Sequence, residues 1–445
     1  MMTATSDTPD RRLLDPVLQR EFAVEVVRRL KDAGCTALWA GGCVRDHLLG
    51  KTPKDYDVAT DATPKKVCRV FRELKTLGVG ASFGVIIVVA PNRAAGEVEV
   101  ATFRSDGSYT DGRRPDSVTF SSPEEDAQRR DFTINGMFFD PLEHKVLDFV
   151  GGERDLSQGY IRAIGDPRER MREDKLRLLR AVRFTAHLEF GLARATKAAV
   201  TEMASEIHVV SAERIAAELR RMLTDRHRHI AVALANEVGL LREILPEVVM
   251  QGSSEDSPNT EGQKPQTVLA TSENLGHQLS ALRLLQQPSF ELAFAMLLRG
   301  VTNVEAICRR LKLSNDELER TAWLVRQQDA LREPDKLSLA QLKRLLAHPF
   351  RDDLLALMRA TLLAERSDLH PVLFCEQFLE TTSPEVLNPL PLVTGNDLIA
   401  LGLQPGPQFK QLLDKARDAQ LNGELTDHEA ALEWVRRQID QKPSE

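Results

Sequence analysis

The sequence predicts an α+β chain, a mixed α/β head of about 150 residues followed by a long helical remainder. Two observations carry this expectation. Short β-rich runs alternate with helical periods up to about Gly165, and beyond that point helical periodicity dominates while strand signals nearly vanish. Size is the third: 445 residues suffice for roughly two to four ordinary domains with at least one sizeable core.

The elements follow in order. Residues 1–20 read as a loose, polar start. Glu21 to Ala33 carries helical periodicity, and Gly34 supplies a stop. Thr36 to Ala40 is a short buried strand running into Gly41-Gly42, and Val44 to Leu49 a short helix stopped by Gly50. Tyr56 to Ala59 reads as a strand. Thr63-Pro64 opens the next helix, with Thr as N-cap and Pro in the first helical position. Gly84 to Ala90 and Glu97 to Phe103 are β-rich runs split by Pro91-Asn92, which predicts a hairpin. Ser105 to Asp116 is a loop, and strands are expected at Thr133 to Phe139 and Lys145 to Val150. The resulting division is a head at 21–160, a helical neck at 161–230, a helical body at 231–380 and a tail at 381–445. The body contains a Ser-, Gly-, Asn- and Pro-rich insertion near 251–266, and three prolines between Thr381 and Thr394 mark the start of the tail.

A hydrophobic fraction of 42% with 28% charged residues describes a soluble globular protein. No apolar run approaches the ~18–20 residues of a membrane span, and the start lacks a secretory pattern, so the expected address is the cytoplasm with no membrane partner. Cys35, Cys43, Cys68, Cys308 and Cys375 form no close pairs, which argues against zinc and against a disulfide framework. With three tyrosines and three tryptophans, an aromatic platform for single strands is not expected. The net charge of −7 disfavours nucleic acid on average, but between Arg162 and Arg183 eight basic residues face four acidic ones.

Asp55 and Asp57 stand two apart in an extended segment, so strand alternation puts both on one face, about 6–7 Å apart. Hard oxygen ligands so placed can hold Mg²⁺, and Glu99, on a strand that could lie alongside, is a third candidate. Taken alone, each is also an ordinary solvated strand residue. Three carboxylates converging across a sheet would suit a two-metal phosphoryl transfer. About ten residues earlier lies Gly41-Gly42-Cys43-Val44-Arg45-Asp46, where a Gly-Gly turn lets backbone N–H groups approach phosphate and Arg45 adds a charged donor. In Arg129-Arg130-Asp131-Phe132-Thr133-Ile134-Asn135 the arginines suit a triphosphate, while Asp131 and Asn135 suit sugar hydroxyls. In Glu173-Asp174-Lys175-Leu176-Arg177 a helix would put Asp174 and Arg177 on one face, either as an intrahelical ion pair or as a reader of base edges. Cytosine and adenine each present an amino donor beside a ring-nitrogen acceptor, and an Asp with an Arg can match that pattern while rejecting guanine and uracil. Arg180 and Arg183 continue at three-residue steps and could reach phosphates.

These motifs together closely resemble the class II tRNA nucleotidyltransferase and bacterial poly(A) polymerase superfamily, specifically over about residues 36–223 and 394–423. The resemblance implies a polymerase-β-like nucleotidyltransferase head with a mixed β-sheet, then an all-α neck, body and tail. It implies that Asp55, Asp57 and Glu99 are catalytic metal ligands for two Mg²⁺ ions, and that CTP and ATP are the substrates. By the same resemblance Gly41, Gly42, Arg45, Arg129, Arg130, Asp131, Asn135, Asp174, Arg177, Arg180 and Arg183 bind nucleotide. The Asp174–Arg177 pair acts as a protein template, and Glu213-Arg214-Ile215-Ala216-Ala217-Glu218 braces it. The loop with Asp106, Gly107, Asp111, Gly112, Arg113 and Arg114 matches a segment that helps such enzymes switch from C to A.

Two activities share these motifs, CCA addition to tRNA 3′ ends and polyadenylation of other RNA 3′ ends. Gly80-Ala81-Ser82-Phe83-Gly84-Val85 resembles the tRNA form, as do Thr394-Gly395-Asn396-Asp397-Leu398 and the stretch from Leu401 to Pro407 with Gly423, which resemble a tRNA-gripping tail. CCA addition is therefore the expected function, with poly(A) addition as the alternative. A-only or CC-only enzymes are narrower variants, and a non-catalytic RNA-binding relative is disfavoured by the intact acidic trio. The body lacks a His-Asp dipeptide and His277 is isolated, so no hydrolase is expected.

Overall fold

The computed structural model describes residues 14–80, 84–106, 118–249 and 267–440. The loop residues Gly107, Asp111, Gly112, Arg113 and Arg114, the side chain of Asp106, the stretch Ala81 to Phe83 and the 251–266 insertion lie outside that description. The chain forms two units, Met1–Met222 with Ile230–Ile244, and Leu223–His229 with Leu245–Glu445. The first unit takes in the head, most of the neck and the first residues assigned to the body, 231–244; residues 223–229 of the neck fall in the second unit with the rest of the body and the tail.

The first helix, α1, spans Pro16–Asp32 and starts earlier than periodicity suggested. Asp15 caps it, accepting from the Val17 and Leu18 amides, and Pro16 occupies the first turn, so residues 16–20 are helix and not part of a loose start. Seven strands build the head sheet: β1 Ala37–Ala40, β2 Asp57–Thr60, β3 Thr76–Gly80, β4 Val85–Val89, β5 Glu97–Thr102, β8 Phe138–Asp140 and β9 Lys145–Leu147. Their spatial order is β3-β4-β5-β2-β1-β8-β9. Every pairing is antiparallel except β2 with β5. A separate ribbon pairs β6 Arg104–Asp106 with β7 Val118–Phe120. The expected hairpin is present between β4 and β5, its turn closed by the Asn92 side chain accepting from the Ala94 amide at 3.0 Å.

Two expectations need correction. Strand β3 lacks a clean alternating pattern and went unrecognised. The run Thr133 to Asn135 is a 3₁₀ turn, not strand; its β-branched residues pack inward while the Thr133 hydroxyl donates to buried Asp155 at 2.8 Å. Only Phe138–Asp140 joins the sheet.

Short helices flank the strands: α2 Gly42–Leu48, α3 Pro64–Val70, α4 Pro123–Gln128 and α5 Gly152–Gln158. Thr63 caps α3 as anticipated, accepting from the Lys66 amide. Trp39 is fully buried and packs against Tyr56, His47 and Phe139, which fixes β1 in the centre of the head. A second cluster of Leu38, Ala40, Ala59, Phe103, Ala127 and Phe138 fills the other face. The neck begins with α6 Pro167–Glu173 and α7 Leu176–Leu188, and continues through α8 Arg194–Glu202 and α9 Ala212–Leu223. Backbone bonds from Thr133 N to Arg162 O (2.9 Å) and from Ile164 N to Asp131 O (3.2 Å) tie it to the head.

In the second unit, helices Phe290–Leu297, Asn315–Gln327 and Arg351–Glu365 contribute buried Phe294, Leu324 and Leu357 to the core. The tail has a core of its own, including Leu398, Ala416, Ala431 and Val435. It is fastened to helix Leu339–Leu346 by Lys343 Nζ donating to Leu421 O at 3.1 Å and by the Arg344–Asp418 ion pair at 2.6 Å. Among the described residues no helix is long and apolar enough to cross a membrane.

Candidate active site

Sheet register assembles the acidic part of the site. The β1–β2 pairing sets Ala40 opposite Asp57, so the Gly41-Gly42 turn that follows β1 lies beside the start of β2. The parallel β2–β5 pairing sets Asp57 opposite Glu99, on the same face of the sheet. Asp55 falls in the bend before β2 and not on the strand. Asp55 and Asp57 line a cleft of about 610 Å³, whereas Glu99 stands outside its lining.

Gly41 has φ +74°, and a Cβ there would lie 3.1 Å from Arg130 Nη1 and 3.9 Å from Asp57 Oδ2. The backbone angle therefore favours glycine, and a Cβ would press on the end of the Arg130 side chain. Gly41→Ala is expected to cost roughly 1–3 kcal/mol of stability and to displace Arg130. Chemical denaturation reads the first effect, and a raised KM for nucleotide the second.

Asp57 opens to solvent on one side, yet protein crowds its carboxylate. That desolvation raises its pKa to about 6, with the like charges of Glu99 and Asp55 adding to it and Arg130 opposing. Glu99 is also raised, by desolvation and then by Glu97 and Asp55. Such a set suits Mg²⁺, whose charge would relieve the repulsion among hard oxygen donors. Among the described residues no group of three His, Cys, Asp or Glu side chains forms a ready metal cluster. Mg²⁺ ordinarily takes one or two carboxylates plus substrate phosphates, so a full protein cage is not required. The linkage has a testable sign. A raised carboxylate pKa favours the folded state below the unfolded value near 3.8, and that contribution is lost as pH rises through about 6. Mg²⁺ is therefore expected to raise the melting temperature more at pH 8 than at pH 5, a difference that Asp57→Asn should abolish.

The rest of the cleft is cationic: besides Asp55 and Asp57, eight arginines and two aspartates line it. Asp126, which sequence reasoning passed over, organises two of the arginines. Its buried Oδ1 accepts from Arg129 at 2.6 Å and its Oδ2 from Arg130 at 2.9 Å. Both arginines hold Asp126 below the usual carboxylate range against the effect of burial, which raises it. The signal was there: Asp126 precedes Arg129 and Arg130 by three and four residues, the spacing of helical neighbours.

Asp131 and Asn135 each take an arginine partner. Asp131 is buried and takes Arg180 on Oδ2 at 2.5 Å, while Asn135 Nδ2 donates to its Oδ1 at 3.2 Å. Burial would raise its pKa, but the Arg180 guanidinium holds it at about 2. Arg45 Nη1 in turn donates to Asn135 Oδ1 at 2.8 Å. Both residues line the cleft, and each holds an arginine in place. Arg183 is likewise held by Glu218 at 2.5 Å.

Asp174 and Arg177 do not share one helix. The chain breaks between α6 and α7, with Asp174 extended (φ −146°, ψ 106°) and its Oδ1 accepting from the Leu176 amide at 3.0 Å. A short polar side chain that satisfies a helix start competes with helix continuation. Their side chains do not pair with each other either, although the Arg177 amide donates to the Asp174 carbonyl at 3.0 Å. Arg214 donates to Asp174 Oδ2 at 2.7 Å, and Arg177 bonds Glu173, the Arg170 carbonyl (2.8 Å) and the Arg129 carbonyl (3.1 Å). Each side chain has its own partners, and both residues line the cleft with Gly41, Gly42, Arg45, Arg180 and Arg183. Arg214, expected only as a brace, contacts the template candidate directly. The second unit has a separate cleft of about 500 Å³, in which Arg299 is taken up by Asp329 and Glu365.

Comparison with known proteins agrees with this picture. The poly A polymerase head domain matches residues 37–162, and a probable RNA and SrmB-binding site of polymerase A matches 189–250. The CCA-adding enzyme of Geobacillus kaustophilus is 32% identical over 428 residues, covering 93% of this chain and 96% of the relative. That of Bacillus subtilis is 42% identical over 223 residues, 50% of this chain and 55% of the relative. The crystal structure of the Bacillus stearothermophilus CCA-adding enzyme in complex with CTP superposes with a TM-score of 0.71 at 27% identity, covering 95% of this chain and 98% of that one. The Thermotoga maritima CCA-adding enzyme complexed with tRNA shares the fold, with a TM-score of 0.61 at 19% identity and coverage of 96% and 98%.

Proposed function

Since the chain belongs to the family of CCA-adding enzymes, we propose that its arginine-lined cleft selects CTP and ATP and builds CCA on the 3′ end of tRNA. The observation that carries this reading is the separate fixing of the Asp174 and Arg177 side chains in one cationic cleft. A carboxylate has about four acceptor sites and a guanidinium five donors, so their protein partners leave capacity for a base edge. Asp174 accepts the amino group common to cytosine and adenine, and Arg177 donates to the neighbouring ring nitrogen. Guanine and uracil present the reversed pattern and leave both groups unpaired.

Around that pair, Arg130, Arg45, Arg180 and Arg183 neutralise the triphosphate, each held in place by a carboxylate or amide of this chain. The incoming α-phosphorus gains a bond to the primer 3′ oxygen and loses its bond to the bridging oxygen, releasing pyrophosphate. Asp55, Asp57 and Glu99 are the residues that would hold Mg²⁺. When bound, Mg²⁺ lowers the pKa of the attacking hydroxyl and neutralises the leaving pyrophosphate. The tail, with its own core, is assigned to gripping the tRNA away from its 3′ end. Polyadenylation remains the second reading because the matched head domain is described for poly(A) polymerases.

The test supplies a tRNA lacking its terminal CCA with Mg²⁺ and one labelled triphosphate at a time. CTP alone should be incorporated, ATP should follow only after two cytidines, and GTP and UTP should be refused. Immediate extension by ATP would overturn the CCA reading.

A further inference from the structure

Three of the cleft's arginines surround a single aromatic ring. The guanidinium carbons of Arg45, Arg180 and Arg183 lie 5.4, 5.2 and 4.1 Å from the centroid of Phe184. The ring belongs to α7, borders the cleft and is only 7% exposed. It is itself fixed edge-to-face against fully buried Phe132, with centroids 5.8 Å apart at 77°. Phe132 directly follows Asp131, the partner of Arg180.

Each arginine also has polar partners: Asp46 and Asn135 for Arg45, Asp131 for Arg180 and Glu218 for Arg183. For Arg180 and Arg183 that contact fixes one edge of the guanidinium and leaves the rest of a long side chain room to swing, whereas Arg45 is already held along two edges. Three like charges gathered at one ring also repel each other, and the repulsion would spread them wherever their partners allow. A second attachment to an immobile ring, whose face carries negative charge, limits that movement. An aliphatic residue of similar volume would fill the same space without attracting a cation.

We propose that Phe184 is a positioning residue for the triphosphate, holding Arg45, Arg180 and Arg183 in the spacing that the phosphates of either nucleotide require. The proposal rests on the reading of the cleft as a CTP and ATP site. Because the ring acts on phosphate-binding groups and not on base-reading ones, its loss affects both nucleotides alike and leaves base choice intact.

The test is steady-state kinetics of CTP and ATP incorporation by the full chain carrying Phe184→Leu, Phe184→Tyr, or phenylalanines of increasing ring fluorination at position 184. Fluorination drains the ring face of negative charge while nearly keeping its shape. Phe184→Leu should raise KM for both triphosphates by about 5- to 20-fold, with kcat within about 2-fold and KM for tRNA unchanged. Phe184→Tyr should restore KM, and KM should climb stepwise with fluorination. If Phe184→Leu fails to fold, the fluorinated series decides alone. Active protein whose KM ignores fluorination would overturn the positioning role. A wild-type chain that incorporates neither nucleotide would instead overturn the functional reading beneath it.

Discussion

Asp57→Asn is expected to lower nucleotide incorporation by on the order of 1000-fold without unfolding the protein. The substitution keeps the side chain's shape and removes the charge at the point where β1, β2 and β5 converge. Asp57 lies opposite Ala40, which precedes the Gly41-Gly42 turn, and opposite Glu99. Its carboxylate is also crowded, with its pKa raised to about 6, so neutralising it relieves repulsion in the metal-free chain. Loss of activity should therefore accompany an unchanged or higher melting temperature above pH 6. Asp55→Asn provides the comparison, since Asp55 lines the same cleft from the bend before β2. Incorporation within tenfold of wild type for Asp57→Asn would remove the residue from the chemistry.

Arg177→Ala is expected to blur base choice. One well-placed base-edge contact discriminates by about 1–3 kcal/mol, so the preference for CTP over UTP and for ATP over GTP should fall by roughly 10- to 100-fold. Total rate should fall as well, because Arg177 also ties the Arg170 carbonyl and the Arg129 carbonyl together. The ratio of rates separates the two consequences: a purely structural arginine would slow all four nucleotides equally. Arg214→Ala sharpens the comparison. It frees Asp174 Oδ2 without touching Arg177, so it should loosen selection less and leave phosphate contacts intact.

Most of the head was legible because its signals are local. Thr63-Pro64 declared a helix start, and the split β-rich runs declared the β4–β5 hairpin. The residue types in Gly41-Gly42, Asp55-Tyr56-Asp57 and Glu173 to Arg183 pointed to one cleft, and all but Glu99 among the expected site residues line it. What escaped depends on partners distant in sequence or on single-residue geometry. Thr133 to Asn135 looks like strand by composition, but the buried Asp155 carboxylate and the neck backbone hold it in a 3₁₀ turn. The Asp174 break is invisible to periodicity, since a capping carboxylate differs from a helical one only in its backbone angles. For Asp131 and Asn135 the residue types gave no sign of their arginine partners, Arg180 and Arg45, which are 49 and 90 residues away. Asp126 shows the reverse case. Its i+3 and i+4 arginines lie within the same local stretch, where the Arg129-Arg130 pair itself suggests only phosphate binding.

The central claim is that this cleft reads C and A and that addition ends after three nucleotides. Three tRNA transcripts, lacking three, two and one terminal nucleotides, would be given to the purified protein with Mg²⁺, CTP and ATP, and the products resolved to single nucleotides. All three are expected to converge on the same CCA terminus and stop there. Products that stop at CC, or gain only the last A, would narrow the activity to part of the sequence. Long A tails made without CTP would contradict CCA addition and assign the chain to polyadenylation.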